Sequence, residues 1–163
     1  EADVAIRLTP PRQPDLIQRH LMSLHHNVYA SPDYLKDHGM PQTPEELDNH
    51  KIVTFGEQVG DQTELLPSLN FLINAGRGTQ GPRQPVLKVN NVYGIYRAVL
   101  SGVGIGALPN YFLEGPSSLV RILPELHSPE TEIYFVYPEE LRQSARIAVF
   151  RDFLVRKIHE SRK

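Results

Sequence analysis

Two adjacent asparagines, Asn90 and Asn91, are the residues of this sequence that are best placed to do chemistry. They follow a short extended run that ends at Val89, and they precede an apolar pattern with helical spacing. Asparagine begins helices by accepting a hydrogen bond from a free backbone N–H group. The other free N–H groups and the positive end of the helix dipole suit a carboxylate or a phosphate. Two interpretations stay open: a ligand site and a simple helix cap.

The elements that must position these asparagines are a strand, a helix and a second strand. The helix is predicted because apolar residues recur at i, i+3, i+4 and i+7, namely Val92, Ile95, Tyr96 and Val99. Gly102 ends the helix, and residues 103–108 form an apolar strand. Two strands joined by a helix in this way form an α/β crossover, so the sheet is at least partly parallel. The helix then starts at the carboxyl end of a strand, where open α/β sheets bind ligands.

Other polar candidates share this kind of position, at the end of a strand or the start of a helix. Each has a structural alternative, since Arg7 can be an ion-pair partner and Thr9 a turn residue. Their common position favours a binding site. The candidate ligand-binding residues are Arg7, Thr9, Ser31, Asn90, Asn91, Gly104 and Gly106, and Gly56-Glu57 is a weaker candidate.

Other chemistries lack the residues that they need. The chain has seven histidines but no cysteine, and no histidine pair has the spacing of a zinc motif. Gly104 and Gly106 follow the helix, whereas the glycines of a dinucleotide fingerprint open one. No Gly-x-Ser-x-Gly nucleophile elbow is present. We therefore predict a binding module, not an enzyme, with no metal and no cofactor.

The composition sets limits on size, compartment and partners. The chain has 163 residues, which is enough for one domain or two small lobes. Its formal net charge of −2 gives no overall attraction to nucleic acid. The absence of cysteine is typical of the cytosol, and no apolar run approaches membrane-spanning length. We predict a cytoplasmic protein that makes no membrane contact.

The pattern along the chain predicts further strands and helices in alternation. Strands are predicted at 2–8, 16–24, 27–30, 51–55, 69–73, 119–122 and 133–137, the first of them of buried type. Ser31 is predicted to cap a helix that ends at His38, and residues 76–85 to form a flexible hairpin-type connection. A final helix begins at Ser144, with an apolar stripe of Ile147, Phe150, Phe153, Leu154 and Ile158.

Several motifs, in this order, resemble the effector-binding domain of LysR-type transcriptional regulators. Together they cover nearly the whole chain, and the run with two spaced glycines before Leu-Pro is the most specific. The motifs are DVAIR at 3–7, YASPDYL at 29–35, GMPQTPEEL at 39–47, VNNVYGIYRAVLSGVGIGALPNY at 89–111, LVRILPE at 119–125 and IYFVYPEELRQSARIAVFRDFL at 133–154.

The resemblance implies an α/β fold of two lobes with mixed sheets, like that of type 2 periplasmic binding proteins. Residues 1–24 and 138–163 would form part of the first lobe, and residues 25–137 the second. A small anionic effector would bind between the lobes. Arg7 and Thr9 would contact it from one side and Ser31, Asn90, Asn91 and residues 104–106 from the other.

The resemblance also implies partners and missing parts. The chain opens within a strand, so we expect a fragment that lacks the winged helix-turn-helix, the linker helix and the first strand–helix–strand of the first lobe. DNA would be bound only through that missing part, and the bacterial regulator would be a homodimer or tetramer with a subunit contact at the helix 92–101. The alternative is a periplasmic solute-binding protein of the same fold, which a secretory signal upstream would favour.

Overall fold

The computed structural model describes residues 3–8, 13–56, 66–113 and 118–161, so Thr9 and Glu57 lie outside the described residues. None of the helices in these ranges is long and apolar enough to cross a bilayer. The strands are β1 (Ala5–Arg7), β2 (Leu16–Leu24), β3 (His26–Ala30), β4 (Ile52–Phe55), β5 (Leu87–Val89), β6 (Ile105–Pro109), β7 (Val120–His127) and β8 (Thr131–Pro138). The α-helices are α1 (Pro32–His38), α2 (Leu66–Leu69), α3 (Val92–Leu100) and α4 (Ala145–Ser161).

The chain divides into two compact units. The first unit comprises Glu1–Leu24 and Glu130–Lys163, and the second comprises His25–Pro129. The first break falls between residues 24 and 25. The second break comes eight residues before the predicted one at 138, because β8 pairs with β1 and β2 of the first unit. Residues 130–137 therefore belong with the two ends of the chain and not with its middle.

The first unit is an antiparallel sheet of three strands with α4 against it. The strand order is β1-β8-β2, and β8 is the central strand. Phe135 and Tyr137 of β8 form the core with Ile147 of α4. The prediction of a buried first strand is wrong, because β1 is an edge strand and its Ile6 is 56% exposed.

The second unit is a mixed sheet of five strands in the order β5-β4-β6-β3-β7. β5 and β6 both run parallel to β4, which confirms the α/β crossover predicted around α3. β3 runs antiparallel to its neighbours β6 and β7. Ile95 and Val99 of α3 pack on one face of the sheet, while Tyr34 of α1 and Leu47 pack on the other.

The strand predicted at 69–73 is wrong. These residues form the end of α2 and a short 3₁₀ helix at Phe71–Ile73. Asn70 lies between the two helices, and its side chain acts like a neighbouring strand. Its Oδ1 accepts a hydrogen bond from Phe55 N–H at 2.9 Å, and its Nδ2 donates to Phe55 O at 3.1 Å. The carboxamide thus satisfies both backbone groups at the carboxyl end of β4.

The connection at 76–85 is held in place by Arg83, which does not fit the prediction of a flexible hairpin. Arg83 is buried, and its guanidinium donates hydrogen bonds to the carbonyl oxygens of Leu72, Ala75 and Pro44 at 2.6–3.0 Å. It also donates to Asp48 at 2.6 Å. One side chain therefore ties this segment to two earlier parts of the chain.

Candidate functional site

The candidate site begins at the first turn of α3. Asn91 is extended at φ −153° and caps the helix, because its Oδ1 accepts a hydrogen bond from Gly94 N–H at 2.7 Å. An α-helix leaves its first N–H groups without an acceptor inside the helix, so those of Val92 and Tyr93 are available to a ligand. The helix dipole adds partial positive charge at the same place. This end of α3 is therefore suited to a carboxylate.

Asn90 lies beside this helix start and covers the end of β4. Because β4 and β5 are parallel, Gly56 and Asn90 follow them at the same edge of the sheet. Gly56 N–H donates to Val89 O at 3.2 Å. A methyl group at Gly56 would overlap the carboxamide of Asn90. Glycine at position 56 therefore lets the exposed Asn90 side chain lie across the strand end.

Asn70 and Asn110 extend this edge, and sequence reasoning missed both. Asn70 fixes Phe55, the residue before Gly56, through the two hydrogen bonds described above. Asn110 follows β6, and its N–H donates to His25 O at 2.9 Å. The Oδ1 atoms of Asn27 and Asn110 are buried without a hydrogen-bond partner among the described residues. Asn110 could have been predicted as a site residue because it follows the end of a predicted strand. Asn70 could not, because it lies inside the segment 69–73 that was predicted to be a strand.

Two chain segments meet at the same edge because β3 starts there. His26 N–H donates to Ser128 Oγ at 2.9 Å, and Ser128 N–H donates to His26 O at 3.0 Å. The hydroxyl of Ser128 also donates to Pro129 O at 2.9 Å. Burial, with a smaller contribution from His25, lowers the pKa of His26 to about 4. His26 is therefore a neutral, structural group at neutral pH.

The burial of His26 should lower the stability of the protein in acid. The unfolded chain protonates His26 near pH 6.5 and the folded chain only near pH 4. The unfolded state thus binds more protons between these values, so stability falls as the pH is lowered through this window and is unaffected by this group above it. We expect His26→Gln to remove about 3 kcal/mol of the loss of unfolding free energy between pH 7 and pH 4. Urea unfolding of both proteins across this range measures the difference, and parallel pH profiles would contradict it.

The structure places Ser31, Gly104 and Gly106 away from this edge. β3 is antiparallel to β6, so Ser31 follows its carboxyl end at the opposite edge of the sheet. Ser31 is buried and caps α1, accepting from Tyr34 N–H at 3.2 Å. Gly104 precedes β6 at that opposite edge. The expectation that these residues share one location with Asn90 and Asn91 is wrong, because β3 runs antiparallel to β6 and because Gly104 and Gly106 lie at the start of β6 and not at its carboxyl end.

The two glycines have packing contacts that account for their residue type. A Cβ atom at Gly104 would come closer than 3.0 Å to the carbonyl group of Lys51. A Cβ atom at Gly106 would lie 2.6 Å from Val99 Cγ2, beneath α3. Gly106 is also paired within the sheet, with Tyr29 on one side and Val53 on the other. Glycine at position 104 lets the backbone of Lys51 come close, and glycine at position 106 lets α3 pack closely on the sheet.

Arg7 lies on β1 in the first unit, where it is exposed and opposite Tyr134. Its role as a ligand contact stays a prediction, as does that of Thr9. Within residues 3–8, 13–56, 66–113 and 118–161, no group of three or more histidine, cysteine or acidic residues is placed to hold a metal ion. The candidate site is thus the edge of the second unit formed by Gly56, Asn90, Asn91, Asn110 and the first turn of α3.

Comparisons with known proteins agree with this architecture. The LysR substrate binding domain family model matches residues 1–158. The transcriptional regulator CrgA of Neisseria meningitidis serogroup C (strain 8013) is 29% identical over an alignment of 163 residues, gaps included. The alignment covers 97% of this chain and 52% of CrgA. The regulator PtxR of Pseudomonas aeruginosa is 30% identical over 156 residues, covering 93% of this chain and 48% of PtxR. The chain thus spans about half the length of these curated relatives.

A solved structure shows the same fold. The regulatory domain of CrgA from Neisseria meningitidis, a LysR-type transcriptional regulator, matches with a TM-score of 0.75 and 31% identity, over 95% of this chain and 74% of that domain. The match confirms the predicted fold class of LysR regulatory domains. The chain therefore belongs to the LysR substrate binding domain family, the effector-binding domain of LysR-type transcriptional regulators.

Proposed function

We propose that this domain binds a small anionic metabolite at the edge of the second unit where α3 begins. The observation that carries the proposal is the position of the Asn91-capped helix start at the carboxyl ends of β4 and β5. Its N–H groups would donate hydrogen bonds to a carboxylate, and the Asn90 carboxamide would donate a further one. Of the residues predicted from the sequence, Asn90 and Asn91 are the ones that this proposal retains in the second unit.

We further infer that a longer protein carrying this domain regulates transcription in response to the metabolite. Its relatives CrgA and PtxR are HTH-type regulators, which supports this over a periplasmic solute-binding protein and over an enzyme. A ligand that binds one conformation more tightly shifts the population toward it. In the proposed regulator, that shift changes DNA contacts made outside these residues, within a homodimer or tetramer in the cytoplasm.

Thermal unfolding in the presence of carboxylates tests the site. We expect a rise in Tm with at least one of acetate, succinate, citrate and benzoate, and no rise with the matching amides. A ligand at 100 times its Kd raises the free energy of unfolding by about 2.7 kcal/mol. Failure of every carboxylate to stabilise the protein would contradict the choice of an anionic ligand.

The variant Asn91→Ala locates the response, and Ser31→Ala is its matched control. Each removes a side-chain helix cap, so each is expected to cost about 1 kcal/mol of stability. Only Asn91→Ala should also lose the Tm rise caused by the carboxylate, because Ser31 caps a helix at the opposite edge. An unchanged response in Asn91→Ala, or an equal loss in Ser31→Ala, would exclude the start of α3 as the site.

A further inference from the structure

Two carboxamide oxygens are buried at the edge of the second unit where α3 begins. They are the Oδ1 atoms of Asn27 and Asn110, and nothing in the described part of the chain donates a hydrogen bond to either. Asn27 as a whole is only 4% exposed. Leaving a buried acceptor unpaired costs free energy, so nearly all such groups in folded proteins have a partner. These two oxygens are therefore candidate contacts for a ligand.

Both asparagines lie near the start of α3. Asn27 is directly opposite Leu108 of β6, and Leu108 packs in one cluster with Ile95 of α3. Residues directly opposite on paired strands point to the same face, so Asn27 points to the face that α3 covers. Asn110 is held beside the start of β3, because its N–H donates to His25 O at 2.9 Å. The two side chains thus come from adjacent strands at the edge where α3 begins.

We propose that the ligand is an amino carboxylate, whose ammonium group donates to the Oδ1 atoms of Asn27 and Asn110. Its carboxylate accepts hydrogen bonds from the first N–H groups of α3. This inference rests on the proposed anion site and adds a second functional group to its ligand. An ammonium group has three hydrogens and can donate to both oxygens, whereas a hydroxyl group has one. Hydrogen bonds from a charged donor are also stronger than those between neutral groups.

The spacing of the strands sets the length of this ligand. Helix α3 begins after β5, and β4 separates β5 from β6. Neighbouring strands are about 4.8 Å apart, so the ends of β5 and β6 are about 10 Å apart. The Asn110 side chain and the hydrogen bonds at both ends of the ligand cover roughly half of this distance. The remaining distance corresponds to about three carbon atoms between the carboxylate and the amino group. Glutamate has this spacing between its side-chain carboxylate and its amino group, and it is an anion.

Calorimetric titration with glutarate, 2-hydroxyglutarate and glutamate tests the ammonium contact, because the three differ only in the group on one carbon. We expect glutamate to bind about tenfold more tightly than glutarate, with 2-hydroxyglutarate closer to glutarate. Glutamate binding no tighter than glutarate, or no tighter than 2-hydroxyglutarate, would overturn the ammonium contact and leave the anion site standing. If these three ligands and every carboxylate of the thermal unfolding series failed to bind, the anion site itself would be contradicted, and this inference with it.

Two substitutions of Asn110 with opposite expected effects locate the contact. The measured quantity is the ratio of the glutarate Kd to the glutamate Kd. Asn110→Leu removes the acceptor, so this ratio should fall by about tenfold. Asn110→Asp places a negative charge opposite the ammonium group, so the ratio should rise. If Asn110→Leu bound neither ligand, Asn110→Asp would decide, and a ratio that it did not raise would overturn the proposal.

Thermal unfolding without ligand gives a second test, with Asn70 as the matched control. The Asn70 carboxamide has two backbone partners, whereas Asn110 Oδ1 has none among the described residues. Asn70→Leu should therefore lower the Tm of the free protein much more than Asn110→Leu does. Equal losses would mean that Asn110 Oδ1 already has a partner within the protein, and they would overturn its role as a ligand contact.

Discussion

Replacement of Gly104 by alanine is expected to destabilise the protein by about 3 kcal/mol, although it adds one methyl group. The added carbon would come closer than 3.0 Å to the carbonyl carbon and oxygen of Lys51. These are backbone atoms of the residue directly before the buried strand β4 and not the flexible end of a side chain. Ile105 N–H also donates to Lys51 O at 2.8 Å, so separating the two segments would cost that hydrogen bond. Urea unfolding at neutral pH measures the loss.

Gly81→Ala is the matched control for this substitution. Gly81 has no atom within 4 Å of an added Cβ, and its φ is not positive. We expect its unfolding free energy to change by less than about 0.5 kcal/mol. If Gly104→Ala were as stable as this control, the close approach of Gly104 to Lys51 would not be the reason for glycine there, and a ligand role would become the better explanation.

Replacement of Arg83 by methionine is expected to lower the free energy of unfolding by about 3 kcal/mol. Methionine keeps the apolar stem of the side chain but leaves the carbonyl oxygens of Leu72, Ala75 and Pro44 without their donor. A buried acceptor that loses its partner costs its full desolvation penalty. Because Asn70 adjoins one of these segments, the end of β4 should also exchange its amide protons faster.

Arg77→Met separates the carbonyl contacts of Arg83 from its ion pair. Arg77 donates to the same Asp48 at 2.7 Å and to Gly81 O, but it is less buried than Arg83. The two guanidinium groups together lower the pKa of Asp48 despite the opposing effect of desolvation. We expect Arg77→Met to cost less than half as much as Arg83→Met. Equal costs would assign the effect to the Asp48 pair and not to the carbonyl network.

The parts of the fold that depend on nearby residues were predictable. The two asparagines before an apolar 3.6-residue pattern predicted α3 and a cap at its start, and the structure has the helix with Asn91 as the cap. Ser31 before Pro32 predicted the start of α1 equally well. In each case one polar side chain accepts a hydrogen bond from a residue three positions later, so the signal and its cause lie within a single turn of the chain.

The parts that depend on distant pairing were not predictable from local patterns. The direction of β3 is set by its partners β6 and β7. Because β3 is antiparallel to β6, Ser31 lies at the edge of the sheet opposite to Asn90 and Asn91. The apolar residues at 69–73 suit a strand, yet Asn70 supplies strand-like hydrogen bonds from a turn between helices. In the sequence, Arg83 is one of two arginines in a glycine-rich connection. Only the fold places the carbonyl groups of Leu72, Ala75 and Pro44 within hydrogen-bond distance of its guanidinium.

The most direct test of the proposed site is an NMR titration of the uniformly ¹⁵N-labelled chain with the carboxylate that stabilises it most. We expect the backbone amide shifts to change at Gly56, Asn90 to Tyr93 and Asn110, at the edge where α3 begins. Changes centred on Ser31, Gly102 and Gly104 would place the ligand at the opposite edge. That result, or the absence of any saturable change, would contradict an anion site at the start of α3.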